Sequence, residues 1–182
     1  MSVHVDGVTK LTYSDYIHFP DDGRRHEIID GVHYVSPSPT NPHQAISRHI
    51  QFALYRQIEL LGKGYVINAP MDLELSLVDV VQPDLIVVLA ENRSVVIPSR
   101  VRGVPDLLVE ILSPSTSERD QDLKLSLYEQ SGVAEYWVVD GEDRRVDRYV
   151  LSEGLYGSPE PHRESIEFAG ATVDLAGVWA RL

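Results

Sequence analysis

Short apolar runs recur along the chain between turn residues, and they predict β-strands. The three most apolar runs cover residues 85–90, 107–112 and 136–139. Because their apolar residues do not alternate with polar ones, we expect strands that are buried on both faces in the centre of a sheet. Further strands are predicted at 65–68, 72–77, 144–151, 165–168 and 172–175, and a surface loop at 152–163.

Apolar residues at helical spacing predict two covering helices. The first is expected from Asn41, its N-cap, to about residue 61, with Pro42 in the first turn and Gly62 at its end. The second begins after the N-cap Ser117 and ends at Gly132. Its residues Asp120, Lys124 and Tyr128 recur every four positions and therefore share one face.

The N-terminal region predicts a β-hairpin. Asp30-Gly31 separates two β-prone runs at 24–29 and 32–36, which is a strong signal for a two-residue turn. Residues 1–10 are expected to form a loose arm or an edge strand. Taken together, the elements predict one α/β (α+β) domain over residues 1–182, with a mixed central sheet, flanking helices and an N-terminal β-hairpin.

Composition excludes several classes of site and partner. The chain has no cysteine, so thiolate and disulfide chemistry are excluded, which fits a reducing cytosol. No apolar run approaches the roughly 20 residues that span a bilayer, so we expect a cytoplasmic protein without a membrane partner. The net charge of −12, from 28 acidic and 16 basic residues, leaves only a local basic patch for nucleic acid. The visible clusters are Arg24-Arg25 and Arg144-Arg145.

Charged residues interrupt the apolar core strands, and they are the candidates for chemistry. Asp84 opens the first run, Glu110 lies inside the second, and Lys124 follows on the second helix. Two carboxylates on neighbouring central strands could hold Mg²⁺, which binds through one or two carboxylates and keeps several waters. Lys124 could orient or deprotonate a water, or offset the charge of a phosphate. Its alternative role is a solvated lysine that pairs with Asp120.

Two further residues could join this site. Glu27, on the first strand of the hairpin, is either a ligand of the metal or its water, or a polar residue on a half-exposed strand. His43, in the first turn of the long helix, either contacts a phosphate or a metal-bound water, or is a surface histidine. Tyr128 and Trp137 are expected to be core aromatics. Phosphate-loop, dinucleotide-binding, HExxH and GxSxG motifs are lacking.

The strings HEIIDG, PDLIVV and PDLLVEILSPSTSERDQDLKLSLYEQSGVAEYWVVD resemble the Uma2 family (DUF820) of restriction-endonuclease-like proteins, over residues 10–178. The family is similar to the PD-(D/E)xK nuclease superfamily. That resemblance implies a restriction-endonuclease-like fold and Mg²⁺-dependent phosphodiester hydrolysis. Asp84 matches the Asp of the PD motif, and Glu110 matches the acid of (D/E)xK. The usual lysine position is Leu112, so the resemblance implies that Lys124 replaces it.

The resemblance also implies the remaining roles. Glu27 matches an acidic residue on the first core element, and His43 matches a histidine at the start of a helix. The carbonyl of Ile111 is a possible further metal ligand beside Asp84 and Glu110, and Mn²⁺ is the expected substitute for Mg²⁺. DNA is the implied substrate and a homodimer the implied assembly. The alternatives are a non-catalytic binding or scaffold protein and a hydrolase of a small phosphoester.

Overall fold

The computed structural model describes residues 2–5, 7–113 and 118–182, with only the backbone of residues 4, 5 and 118–120. Its α-helices are α1 (Tyr13–Tyr16), α2 (Asn41–Leu54), α3 (Glu118–Ser131) and α4 (Leu175–Trp179). Its strands are β1 (Val3–Val5), β2 (Val8–Lys10), β3 (Arg25–Ile29), β4 (Val32–Ser36), β5 (Gly64–Asn68), β6 (Leu73–Ser76), β7 (Asp79–Val81), β8 (Leu85–Leu89), β9 (Val96–Ile97), β10 (Arg100–Arg102), β11 (Leu107–Ile111), β12 (Glu135–Asp140), β13 (Arg145–Ser152), β14 (Leu155–Tyr156), β15 (Glu160–His162), β16 (Ser165–Phe168) and β17 (Ala171–Asp174).

The larger sheet contains the three strands that the apolar runs predict. Within the described residues its order is β14-β13-β12-β11-β8-β5, with β15 paired to β13. Strand β11 pairs in parallel with β12 and antiparallel with β8, so the sheet is mixed. Every residue of β11 is buried, as expected for a strand covered on both faces.

Alternate residues of these strands face two different apolar layers. Leu85, Val87 and Val109 pack against the inward side of α2, whose Ile46 and Ile50 are buried. The intervening residues of the same strands face a second layer, which includes Ile86, Leu108, Tyr128 and Tyr136. Side chains at odd and even positions of a strand point to opposite faces, which explains the division. Trp137 is fully buried among the first layer, so both predicted core aromatics are in the core.

A smaller sheet carries the predicted hairpin to the edge of the second layer. Its order within the described chain is β4-β3-β7-β6-β10-β9. Strands β3 and β4 pair around Asp30 and Gly31, whose φ angles of 49° and 74° are those of a two-residue hairpin turn. A side chain on Gly31 would also collide with the backbone of Lys10.

Three local predictions differ from the structure or lie outside it. The predicted loop at 152–163 contains β14 and β15, which pair with β13. The long helix has Thr40 as its N-cap and leaves α-helical geometry after Leu54, continuing as a π-helical segment, Tyr55–Glu59. The cap at Ser117 and the side chain of Asp120 lie outside the described residues. In the described part of the chain, no helix is both long and apolar enough to cross a bilayer.

Candidate active site

Strand pairing brings Asp84 and Glu110 together. Leu85 of β8 pairs with Val109 of β11, so continuing the antiparallel register by one residue sets Asp84 opposite Glu110. Glu110 follows Leu108 by two residues, so both side chains lie on the same face of β11, the face covered by α3. The exposed fractions are 2% for Asp84 and 8% for Glu110, so both carboxylates are buried. Directly opposed residues of an antiparallel pair have Cβ atoms about 4.5–5.5 Å apart.

Asp84 is held by donors on both oxygens. The guanidinium of Arg25 donates to Oδ1 at 2.8 Å, and the backbone N–H of Ile111 donates to Oδ2 at 2.8 Å. Nε2 of His43 lies 3.0 Å from Oδ2 and therefore carries the proton of that hydrogen bond. Burial raises the pKa of Asp84, but the hydrogen bond from His43 and the charge of Arg25 outweigh burial and lower the pKa to about 2. Asp84 is therefore ionised at neutral pH.

Helix α3 carries Lys124 into the same cluster. Its ammonium lies 2.8 Å from Oε1 of Glu110 and 3.0 Å from Oε1 of Glu27, and its side chain is only 15% exposed. A lysine in bulk solvent, the alternative for this residue, is therefore wrong. Burial lowers the pKa of Lys124, but the charges of Glu110 and Glu27 outweigh burial and raise it above its ordinary value. The ammonium thus stays protonated and acts as a hydrogen-bond donor.

The surroundings of Glu110 disfavour the charged form of its carboxyl group. Oε1 accepts hydrogen bonds from Lys124 and, at 2.7 Å, from the hydroxyl of Tyr128. Burial raises the pKa of Glu110, the charge of Lys124 opposes that effect, and the charge of Asp84 adds to it, so the net pKa lies above its ordinary value. No described residue donates a hydrogen bond to Oε2 of Glu110.

Glu27 and His43 are both buried, so the exposed alternatives for these two residues are wrong. Glu27 is 3% exposed, and its Oε1 accepts a hydrogen bond from the backbone N–H of Gln82 at 2.9 Å. His43 is 7% exposed because the start of α2 packs against the sheet, where its ring contacts Asp84. Nδ1 of His43 is buried and has no hydrogen-bond partner among the described residues.

Arg25 is a member of the site that the sequence did not single out in this role. It precedes Glu27 by two residues on β3, so both side chains point to the same face. That spacing was the available signal, but Arg25 was assigned to a basic surface cluster instead. The basic clusters are also largely neutralised, because Arg25 pairs with Asp84 and Arg145 pairs with Asp143 and Asp147.

The charged cluster opens into a cleft of about 140 Å³. The loop between β4 and α2 forms one rim, with Ser36, Pro37 and Pro39, and Leu123 of α3 contributes to the other side. Tyr34 and Tyr136 add aromatic surface to the walls. The cleft is thus a small, mostly uncharged pocket with ion-paired groups at its base.

The donor set of the cluster fits a hard divalent cation. No three or more His, Asp or Glu side chains of the described residues are arranged to hold a metal by themselves. Mg²⁺ needs only one or two carboxylates, because it retains several waters. Oε2 of Glu110, to which no residue in the described part of the chain donates, meets this need. The carbonyl of Ile111 also faces Asp84, since the N–H and C=O of one strand residue face the same neighbour.

The charge balance also favours a cation. Three carboxylates, those of Glu27, Asp84 and Glu110, face two fixed cations, Arg25 and Lys124. When all five groups are ionised, the cluster retains an excess of negative charge. A divalent cation bound by oxygen ligands would offset that excess.

Comparisons with known proteins agree with the predicted fold and family. A crystal structure described as "a putative nuclease belonging to DUF820" from Anabaena variabilis ATCC 29413 is similar, with a TM-score of 0.78 and 15% sequence identity. The match covers 93% of this chain and 98% of that chain, which confirms the predicted restriction-endonuclease-like fold. A search of curated proteins gave no significant match. The model of the Uma2 family, described as "putative restriction endonuclease", matches residues 13–176, and the chain therefore belongs to the Uma2 family.

Proposed function

We propose that this protein is a Mg²⁺-dependent endonuclease that hydrolyses phosphodiester bonds of DNA, with Mn²⁺ as a substitute metal. The observation that carries the proposal is the convergence of Asp84, Glu110 and Lys124 at the base of one cleft. Paired carboxylates beside a protonated lysine suit the hydrolysis of a phosphoester, in which negative charge develops on phosphate oxygens. Membership of the Uma2 family and the likeness to the Anabaena protein point to the same class of enzyme.

Asp84, Glu110 and the carbonyl of Ile111 would hold the metal. When bound, Mg²⁺ would polarise the phosphate and lower the pKa of an attacking water. Arg25 fixes the carboxylate of Asp84 in one orientation through the 2.8 Å ion pair. Lys124 donates hydrogen bonds to the attacking water or to a phosphate oxygen. It does not serve as the base, because its pKa is raised.

Glu27 and His43 hold the other groups in position. Glu27 shares the ammonium of Lys124 with Glu110, which keeps the lysine tip over the cleft. His43 donates to Asp84 and thereby keeps that carboxylate ionised. Both residues line the cleft, so Glu27 can also contact the metal or its water, and His43 the substrate phosphate or a metal-bound water.

Supercoiled plasmid incubated with Mg²⁺ tests the proposal. We expect nicking by the wild type, and a loss of at least 100-fold in Asp84→Asn and in Glu110→Gln. Glu74→Gln is the matched control, because Glu74 is also buried and ion-paired, with Arg100 at 2.5 Å, but lies outside the cleft. Wild-type nicking rates in Asp84→Asn and Glu110→Gln would rule the proposal out.

The size of the cleft favours a second candidate, a hydrolase of a small phosphoester. A volume of about 140 Å³ suits a small phosphoester better than a duplex, and the net charge of −12 is less unfavourable for a small ligand than for a duplex. Hydrolysis of bis(p-nitrophenyl) phosphate without nicking of any polynucleotide would favour this candidate. A third candidate, a binding or scaffold protein, requires that neither substrate is cleaved and that Mn²⁺ does not bind.

The assembly and the compartment belong to the same proposal. A homodimer would allow two clefts to act on the two strands of a duplex, and light scattering across a concentration series tests this. A cytoplasmic location agrees with a chain that lacks cysteine, and cell fractionation tests it.

A further inference from the structure

A second groove lies between α2 and the β17–α4 segment, away from the cleft. Its volume is about 750 Å³. Its lining includes three arginines, one histidine, one phenylalanine and one carboxylate; the residues used below are Arg48, His49, Phe52, Arg56, Asp174 and Arg181.

One stripe along α2 and the π-helical segment after it supplies three residues of the groove. Arg48, Phe52 and Arg56 are spaced by four residues and therefore lie on one face of the helix. That face is turned away from the core, because Ile46 and Ile50 occupy the buried side. Phe52 is 59% exposed, and the guanidinium of Arg56 lies 5.6 Å from the centre of its ring. The ring of Phe52 therefore lies exposed between two arginines, one of which already contacts its face.

The guanidinium groups of the groove have donors for an anion, and that of Arg181 also donates to the carbonyl of Gly177. Among the described residues, Arg48, Arg56 and Arg181 form no ion pair with a carboxylate. Asp174 is engaged as the cap of α4, where it accepts a hydrogen bond from Gly177. Partial burial and the charges of Arg181 and Arg48 lower the pKa of His49, which agrees with a local positive potential. The groove is therefore locally basic, although the whole chain is acidic.

We propose that this groove binds the sugar-phosphate backbone of a nucleic acid strand. The inference rests on the proposed function, because it supplies the affinity for a polynucleotide that the cleft lacks. In the cleft, Arg25 and Lys124 are already paired with carboxylates. Unpaired guanidinium groups around an exposed aromatic ring are the features that bind phosphates and stack bases without sequence preference.

Helix α2 connects the groove to the cleft. It carries His43 in the cleft and Arg48 and Phe52 in the groove, and Arg56 follows on the π-helical segment. At 1.5 Å per residue, Arg48 lies about 7.5 Å and Arg56 about 20 Å from His43 along the helix axis. With about 3.4 Å between successive nucleotides of one strand, this distance corresponds to roughly six nucleotides. Measured along the helix axis, the cleft and the groove are therefore within the length of a short oligonucleotide, on different faces of the helix.

Fluorescence anisotropy with a labelled 20-nucleotide strand and its duplex, in EDTA, tests the groove without cleavage. The variant is Arg48→Glu/Arg56→Glu. Losing two phosphate contacts should weaken binding roughly 10- to 100-fold at low salt and reduce the slope of log K against log[salt] by about 2. The control is Lys63→Glu/Arg93→Glu, which changes the net charge equally at exposed positions outside both the groove and the cleft. Thermal unfolding verifies that both variants are folded.

The outcomes separate the groove from the proposed chemistry. Selective loss of binding in Arg48→Glu/Arg56→Glu, with Mg²⁺-dependent hydrolysis of bis(p-nitrophenyl) phosphate unchanged, supports the proposal. Equal affinity of this variant and the wild type, equal loss in the control, or no binding by the wild type overturns it. A wild-type dimer that this variant converts to a monomer, with DNA affinity unchanged, would assign the groove to self-association and also overturn it. If the wild type hydrolyses no phosphoester, the proposed function fails while the binding result still decides the role of the groove.

Discussion

Lys124→Met removes the one ammonium that separates two buried carboxylates, and its effect can be worked out from the structure. The Nζ atom lies 2.8 Å from Glu110 and 3.0 Å from Glu27, and its side chain is 15% exposed. Removing one partner of a buried ion pair costs about 3–5 kcal/mol in the free energy of unfolding, because the remaining charge loses its compensation. For a chain of this size, that corresponds to a drop in Tm of roughly 6–20 °C.

The destabilisation by Lys124→Met should depend on pH, and the sign follows from Glu110. Burial already raises the pKa of Glu110, and loss of the lysine charge raises it further. An acid whose pKa is raised in the folded state gains stability as pH falls from that folded pKa toward its unfolded pKa. The difference in unfolding free energy between Lys124→Met and the wild type should therefore be larger at pH 8 than at pH 5.

Urea unfolding at pH 5 and pH 8 measures this difference. We expect Lys124→Met/Glu110→Gln to recover part of the stability at pH 8, because it removes one of the two carboxylate charges that lose the ammonium, while Glu27 remains. Arg148→Met is the matched control, since Arg148 pairs with the buried Glu135 at 2.7 Å outside the cleft. Arg148→Met should lower stability without lowering nicking, whereas Lys124→Met should lower both. A cost below 1 kcal/mol that is the same at both pH values would refute the assignment of Lys124 to the cluster.

Three further predictions concern the carboxylates and their partners. The pKa of Asp84 is about 2 and its ordinary value is 3.8, so ionised Asp84 should contribute roughly 2 kcal/mol to the free energy of unfolding. This contribution is present above about pH 4 and is lost as pH falls through 2. Acid unfolding of Asp84→Asn should not show this loss of stability. Glu110→Gln should abolish nicking. The wild type should lose stability as pH rises through the folded pKa of Glu110, whereas Glu110→Gln should not, and Tm measured from pH 5 to 9 tests this difference. Tyr128→Phe should lower the free energy of unfolding by about 1 kcal/mol, measured with urea, because it removes one hydrogen bond to Glu110. It should reduce nicking less than Glu110→Gln does, because Glu110 still accepts a hydrogen bond from Lys124.

The local patterns of the sequence predict most of the fold. Continuous apolar runs identify the central strands β8, β11 and β12, and the Asp30-Gly31 pair identifies the hairpin turn, because both signals depend on neighbouring residues. Strands β14 and β15 are missed because they have two and three residues, too few to show alternation. Their pairing with β13 is set by tertiary contact and leaves no periodic signal.

The sequence also predicts part of the candidate site, because some of its residues stand out from their apolar neighbours. Asp84, Glu110 and Lys124 are recognisable because charges are rare in buried apolar surroundings. The role of Arg25 depends on the position of β3, which pairs with β7 at Ile28 and Val80. That contact joins residues more than fifty positions apart, so sequence spacing cannot reveal it. The burial of His43 likewise depends on how α2 docks against the sheet.

Anomalous diffraction from a crystal soaked in Mn²⁺ decides whether the charged cluster is a metal site, because it locates the ion independently of any activity. We expect an anomalous peak between the carboxylates of Asp84 and Glu110, next to the carbonyl of Ile111, that is lost in Asp84→Asn. A well-ordered soaked crystal without a peak there, or with peaks only at surface carboxylates, would show that the cluster does not bind the metal.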